Sequence, residues 1–86
     1  MILPTIHLNG TAALSLADQY KDAYGAISKA MDLLSQARPN ARDYYPQGDG
    51  AFQTAVKEFS VHMDALNAAM QYCENIGVHC IEASYR

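Results

Sequence analysis

Apolar residues recur at Ala13, Ala17, Tyr20, Tyr24, Ile27, Met31 and Leu34, in steps of four and three that never break. Such spacing keeps one stripe of a helix apolar and predicts a helix over residues 11–37. A second series, Phe52, Val56, Phe59, Met63, Leu66, Met70 and Cys73, has the same rhythm and predicts a helix over 51–76. Thr11 and Asp49 stand where a side-chain oxygen would accept a free first-turn amide proton. Pro39 bars continuation of the first helix, and Gly77 offers the second a left-handed stop. The irregular loop 38–50 then folds one helix back on the other. The predicted architecture is all-α: a single domain over 1–86, built as an antiparallel, coiled-coil-like two-helix hairpin.

Short extended segments flank this hairpin. Ile2 to Leu8 read as an arm, which Pro4 confines to an edge or a strap across the helices, and Asn9-Gly10 turns the chain at its end. The arm occupies 1–10. In the tail, 77–86, the run Val78-His79-Cys80-Ile81-Glu82 alternates like a short strand able to pair with the arm. His7 and His79 would then meet in a polar cluster at the termini.

Each seam is flanked by further small or apolar positions: Leu16, Ala23, Ala30 and Leu33 on the first helix, and Ala55, Ala65, Ala69 and Ile76 on the second. An apolar face wider than the seam packs against a further element. The chain is 50% hydrophobic and only 17% charged, and so short a chain buries only about 60% of its unfolded surface. Self-association into a homo-oligomer is the expected remedy. Gly25, within the first helix at a cost of about 1 kcal/mol relative to Ala, is tolerated most easily where another backbone comes close.

Charge and chemistry narrow the function. A net charge of −3 with six basic residues argues against general nucleic-acid binding, which draws its affinity from many lysines and arginines on phosphates. Neither an apolar run of membrane length nor a basic start followed by an apolar stretch occurs, so neither a span nor a signal peptide is expected. That points to the cytoplasm, with Cys73 and Cys80 reduced. Glu58 and His62 share a helical face but lack a third ligand at metal spacing, so no metal or cofactor is expected. His79 and Cys80, being adjacent, would point apart on a strand, and no catalytic residue is expected; the chain reads as non-enzymatic.

The loop Arg38-Pro39-Asn40-Ala41-Arg42-Asp43-Tyr44-Tyr45-Pro46-Gln47-Gly48-Asp49-Gly50 is where function is expected, because irregular aromatic-rich loops carry it more often than helical faces. Arg38 and Arg42 offer forked donors to a phosphate or carboxylate, and Tyr44 and Tyr45 can stack on a base or donate hydroxyl bonds. Gln47 belongs to the same candidate ligand set. His7 and Asn9 join it only if a neighbouring chain runs antiparallel and brings its terminal end beside this loop. The structural alternative has Arg38 capping the first helix, Arg42 pairing with Asp43, and both tyrosines covering the open end of the core.

The segments Ile6-His7-Leu8-Asn9-Gly10-Thr11 and Pro39-Asn40-Ala41-Arg42-Asp43-Tyr44-Tyr45-Pro46-Gln47 resemble two fixed islands of small helical proteins encoded by phages and prophages. The likeness covers both islands and the helical layout around them. That family continues Asn-Gly-Arg where this chain has Asn40-Ala41-Arg42. The resemblance implies action against host defence, either by sequestering a small anionic, nucleotide-like signal in a homo-oligomer or by occupying a host defence protein.

Overall fold

The computed structural model describes residues 1–85, and among these the regular secondary structure is entirely helical. α1 runs Ala13–Gln36 and α2 runs Ala51–Ser84, antiparallel to it, joined by a connection containing two short 3-10 turns, Ala41–Asp43 and Tyr45–Gln47. The predicted hairpin is what forms. On α1 every seam residue from Ala13 to Leu34 is buried or half-buried. On α2 all are too except Val56, where Ala55 turns inward instead; α1 has already ended there, and only the connecting loop lies alongside.

Register follows from two contacts. The Arg38 guanidinium lies 5.7 Å from the centre of the Phe59 ring, and Gly77 lies against Tyr20, where an added Cβ would stand 3.8 Å from the tyrosine Cβ. Residues whose numbers add to about 97 are therefore level with one another. The first ten or so residues of α2 extend beyond α1 at the loop end.

α2 differs from the prediction at its C-terminal end. It does not stop at Gly77, and the tail forms no strand: the helix continues through Ser84, while Arg86 lies outside the described residues. The reason lies in the packing. Ile76 and Cys80 continue the buried stripe beyond Cys73 and close the main core cluster on Ala17, with Ile6, Leu16 and Tyr20 around it. Burying one isoleucine is worth about 2 kcal/mol and outweighs the roughly 1 kcal/mol that a helical glycine costs.

Both expected caps also differ. Ala12, in extended geometry and with no side-chain bond, precedes α1 in place of Thr11; Gly50, at φ 89°, precedes α2 in place of Asp49. The left-handed backbone at position 50 suits glycine and leaves a carboxylate no place as the cap.

The arm is extended as expected, but it straps across α2 instead of pairing with a strand. His79 Nε2 donates to the Pro4 carbonyl at 2.8 Å, and Ile6 enters the core cluster. The chain then turns, with the Gly10 amide donating to the His7 carbonyl at 3.1 Å. The His7 ring folds over Gly10 so closely that a Cβ there would sit 2.8 Å from His7 Nε2. His7 and His79 thus serve different parts of the turn and do not form a shared cluster.

Among the described residues only Ala17, Cys73, Ile76 and Cys80 are fully buried, all in the terminal half. The molecule extends 61 × 21 × 17 Å with a radius of gyration of 18.7 Å, against about 12 Å for a compact domain of this length. It exposes 6475 Å², about 1,500 Å² more than a compact monomer of its mass.

Candidate functional site

The loop is built by local hydrogen bonding. Asn40 Oδ1 accepts the Arg42 amide at 3.1 Å, and the two 3-10 turns close through Asp43 to Asn40 and Gln47 to Tyr44, each at 3.0 Å. Ala41 opens the first turn without a left-handed backbone; among the described residues only Gly48 and Gly50 have positive φ. Glycine is therefore not required at position 41.

Arg38 stacks its cation over Phe59 in place of capping α1, an exposed cation–π contact worth about 0.5–1 kcal/mol. Arg42 is exposed. The two tyrosines have separate duties: Tyr44 is half-buried against Phe52, ring centres 6.5 Å apart, whereas Tyr45 is 77% exposed. Tyr44 covers the open end of the hairpin, and Tyr45 is presented outward.

Two hollows adjoin these rings. One, of about 500 Å³, is lined by Tyr44, Gln47, Asp49, Ala55 and Glu58. The other, of about 380 Å³, lies beside Tyr45, Gly48, Asp49, Phe52 and Gln53. Neither has an arginine in its lining, and both carry the Asp49 carboxylate. Within one chain the loop therefore brings Tyr44 and Gln47 together and leaves Arg38 and Arg42 outside. His7 and Asn9, both exposed, lie at the opposite end of the hairpin.

A feature of the helices links these ends. On α1, Leu16, Gln19, Ala23, Ala26, Ala30 and Leu33 fall on one flank at helical spacing, and all five charged residues of the helix, Asp18, Lys21, Asp22, Lys29 and Asp32, fall elsewhere. The matching flank of α2 holds Ala55, His62, Ala65, Ala69, Tyr72 and Ile76; its one charge, Glu58, lies beyond the end of α1. Leu16 and Ile76 packing in one cluster places the two flanks on the same side. Ala23, Ala26, Ala30, Leu33, Ala65 and Tyr72 are all exposed there. The Tyr44–Gln47 hollow lies at one end of this flank, through Ala55 and Glu58, and the arm lies at the other, through Ile6 and His79. Most of these positions flank the seams in the sequence; the absence of charge between them is the signal that joins them.

Near the terminal end, Tyr20 and Tyr72 meet edge to face at 6.0 Å. The Tyr72 hydroxyl, first, and then partial burial push the Tyr20 phenol above its ordinary value, with nearby Cys73 and Cys80 adding to the effect. Among the described residues no group of three potential ligands gathers for a metal, and no helix is long and apolar enough to cross a membrane. No protein-family model matches the chain, and no curated protein or solved structure matches it.

Proposed function

We propose that the chain is a non-enzymatic, phage-type anti-defence protein that acts in the host cytoplasm by sequestering a small anionic, nucleotide-like ligand in a homo-oligomer. The uncharged flank carries this reading. Interface centres are depleted of charge, and alanines allow two helices to approach closely. The middle of the flank lies near Ala26 and Ala69. From there the Tyr44 hollow stands about 20 Å away, at Ala55, and the arm about 15 Å away in the opposite direction, at His79, at 1.5 Å per residue. A second copy laid antiparallel on this flank brings its His7 and Asn9 beside the loop of the first. Each site then draws Arg38 and Arg42 for phosphate, Tyr44 and Tyr45 for stacking and Gln47 for an amide bond from one chain, and a polar wall from the other.

Calorimetry with a panel of cyclic nucleotides tests it: at least one binds, and Arg42→Ala weakens that binding about tenfold or more, the loss of one charge-assisted phosphate contact. No heat from any nucleotide with the assembled protein overturns it.

A second reading is favoured by the carboxylates of Asp49 and Glu58, which repel an anion from the Tyr44 hollow, and by the exposure of Tyr45. Here the loop is an interaction module that occupies a host defence protein. A stoichiometric partner recovered from host lysate and lost on Tyr45→Ala supports it; recovery unchanged by Tyr45→Ala and Tyr44→Ala refutes it.

A further inference from the structure

The opposite flank of the hairpin carries a groove of about 550 Å³ between the helices at the terminal end. Its apolar rim is Leu14 from α1 with Val78 and Ile81 from α2, and they are 59%, 46% and 44% exposed. Its walls also hold Asp18, Lys21 and Glu74. We infer that a second copy of the chain seats in this groove, making a contact between copies separate from the flank contact proposed above.

Three observations select a second copy as the occupant. The surface exposed beyond that of a compact monomer, about 1,500 Å², is nearly twice the roughly 800 Å² that one partner contributes to an average stable interface. One flank alone leaves much of it uncovered. Within the groove Lys21 and Glu74 also form a self-complementary pair. Lys21 and Glu74 stand at nearly the same level in the hairpin, so a twofold axis along the hairpin sets α1 of each copy over α2 of the other. Lys21 of one copy then meets Glu74 of the partner copy twice over, as an isologous contact requires. Finally, Gly25 lies next along the Lys21 side of α1 with open space where a Cβ would stand, a position that admits a neighbouring backbone. Leu14, Val78 and Ile81 supply the apolar centre, and the two ion pairs fix the register.

Analytical ultracentrifugation of the full chain tests the contact. Ile81→Glu lowers the assembly mass at least twofold while helical content by circular dichroism is unchanged. Lys21→Glu and Glu74→Lys, both at exposed positions, do the same singly. Mixing those two variants restores the larger mass, because attraction returns between chains while repulsion remains within each. Ala26→Glu, on the other flank, separates the two contacts: if it leaves the mass unchanged while Ile81→Glu lowers it, the groove contact stands and the flank contact fails. An Ile81→Glu chain that keeps the wild-type mass, or charge-reversed chains that fail to reassemble on mixing, overturns the inference.

Discussion

Ile76 is 2% exposed and belongs to the cluster where the elements of the terminal end meet, formed with Ala17 of α1 and Cys80 of its own helix and covered by Leu16 of α1 and Ile6 of the arm. Its truncation leaves a cavity that a rigid pair of helices fills poorly, so Ile76→Ala costs about 3 kcal/mol. Urea denaturation followed by circular dichroism measures this. Tyr20 gives the fold a pH signature. Because its folded-state pKa is raised, its contribution is fully present below the ordinary phenol value of 10.0 and is lost as pH climbs through the raised value. Melting temperature accordingly falls in the alkaline range, and Tyr72→Phe, which removes the main cause of the shift, flattens that fall. These residues were only partly legible in the sequence. The four-three spacing marked Tyr20 as a seam residue, but nothing in it showed that Tyr72, outside the seam, would reach the same ring.

At the scale of elements, the hairpin was legible because its signal is long: seven seam positions per helix in unbroken rhythm, with Pro39 ending the first helix in the right place. The end of α2 was misread because its signal is short. Val78 to Glu82 fits a two-residue period as well as a helical one over so few positions, and Gly77 resembled a stop. What decides is tertiary: the start of α1 needs a facing surface, which Ile76 and Cys80 provide only in a helix. Gly77 is therefore an interior helical residue with room for a methyl group against Tyr20. Gly77→Ala should raise stability by about 0.5–1 kcal/mol, read as a shift in the urea midpoint. A loss of stability would mean that the backbone there needs glycine after all. The caps were misread for a related reason. Thr11 and Asp49 are good capping residues, but the chain enters α1 through Ala12 and α2 through a left-handed Gly50, geometries set by the turns before them.

The whole molecule is a long, thin pair of helices whose deepest packing lies at one end, and its two flanks differ in kind. One is alanine-rich and uncharged along the paired helices, with the tyrosine hollow, which carries Asp49 and Glu58, and the arm at its extremities. The other holds a groove walled by both signs of charge. Function in this account does not reside in a pocket of one chain. We propose that it arises where the loop of one copy meets the arm of the next; within a single hairpin the arginines and tyrosines of the loop lie at the opposite end from His7. That arrangement can be tested by complementation. Take a His7→Ala, Asn9→Ala chain and an Arg42→Ala chain, each expected to bind nucleotide about tenfold or more weakly than wild type when alone. Random pairing in an equal mixture of them leaves one intact composite site in each mixed dimer, so calorimetry should recover about one quarter of the wild-type sites. A mixture that binds no more tightly than its two parents, or a His7→Ala, Asn9→Ala chain that binds as well as wild type, would contradict the account.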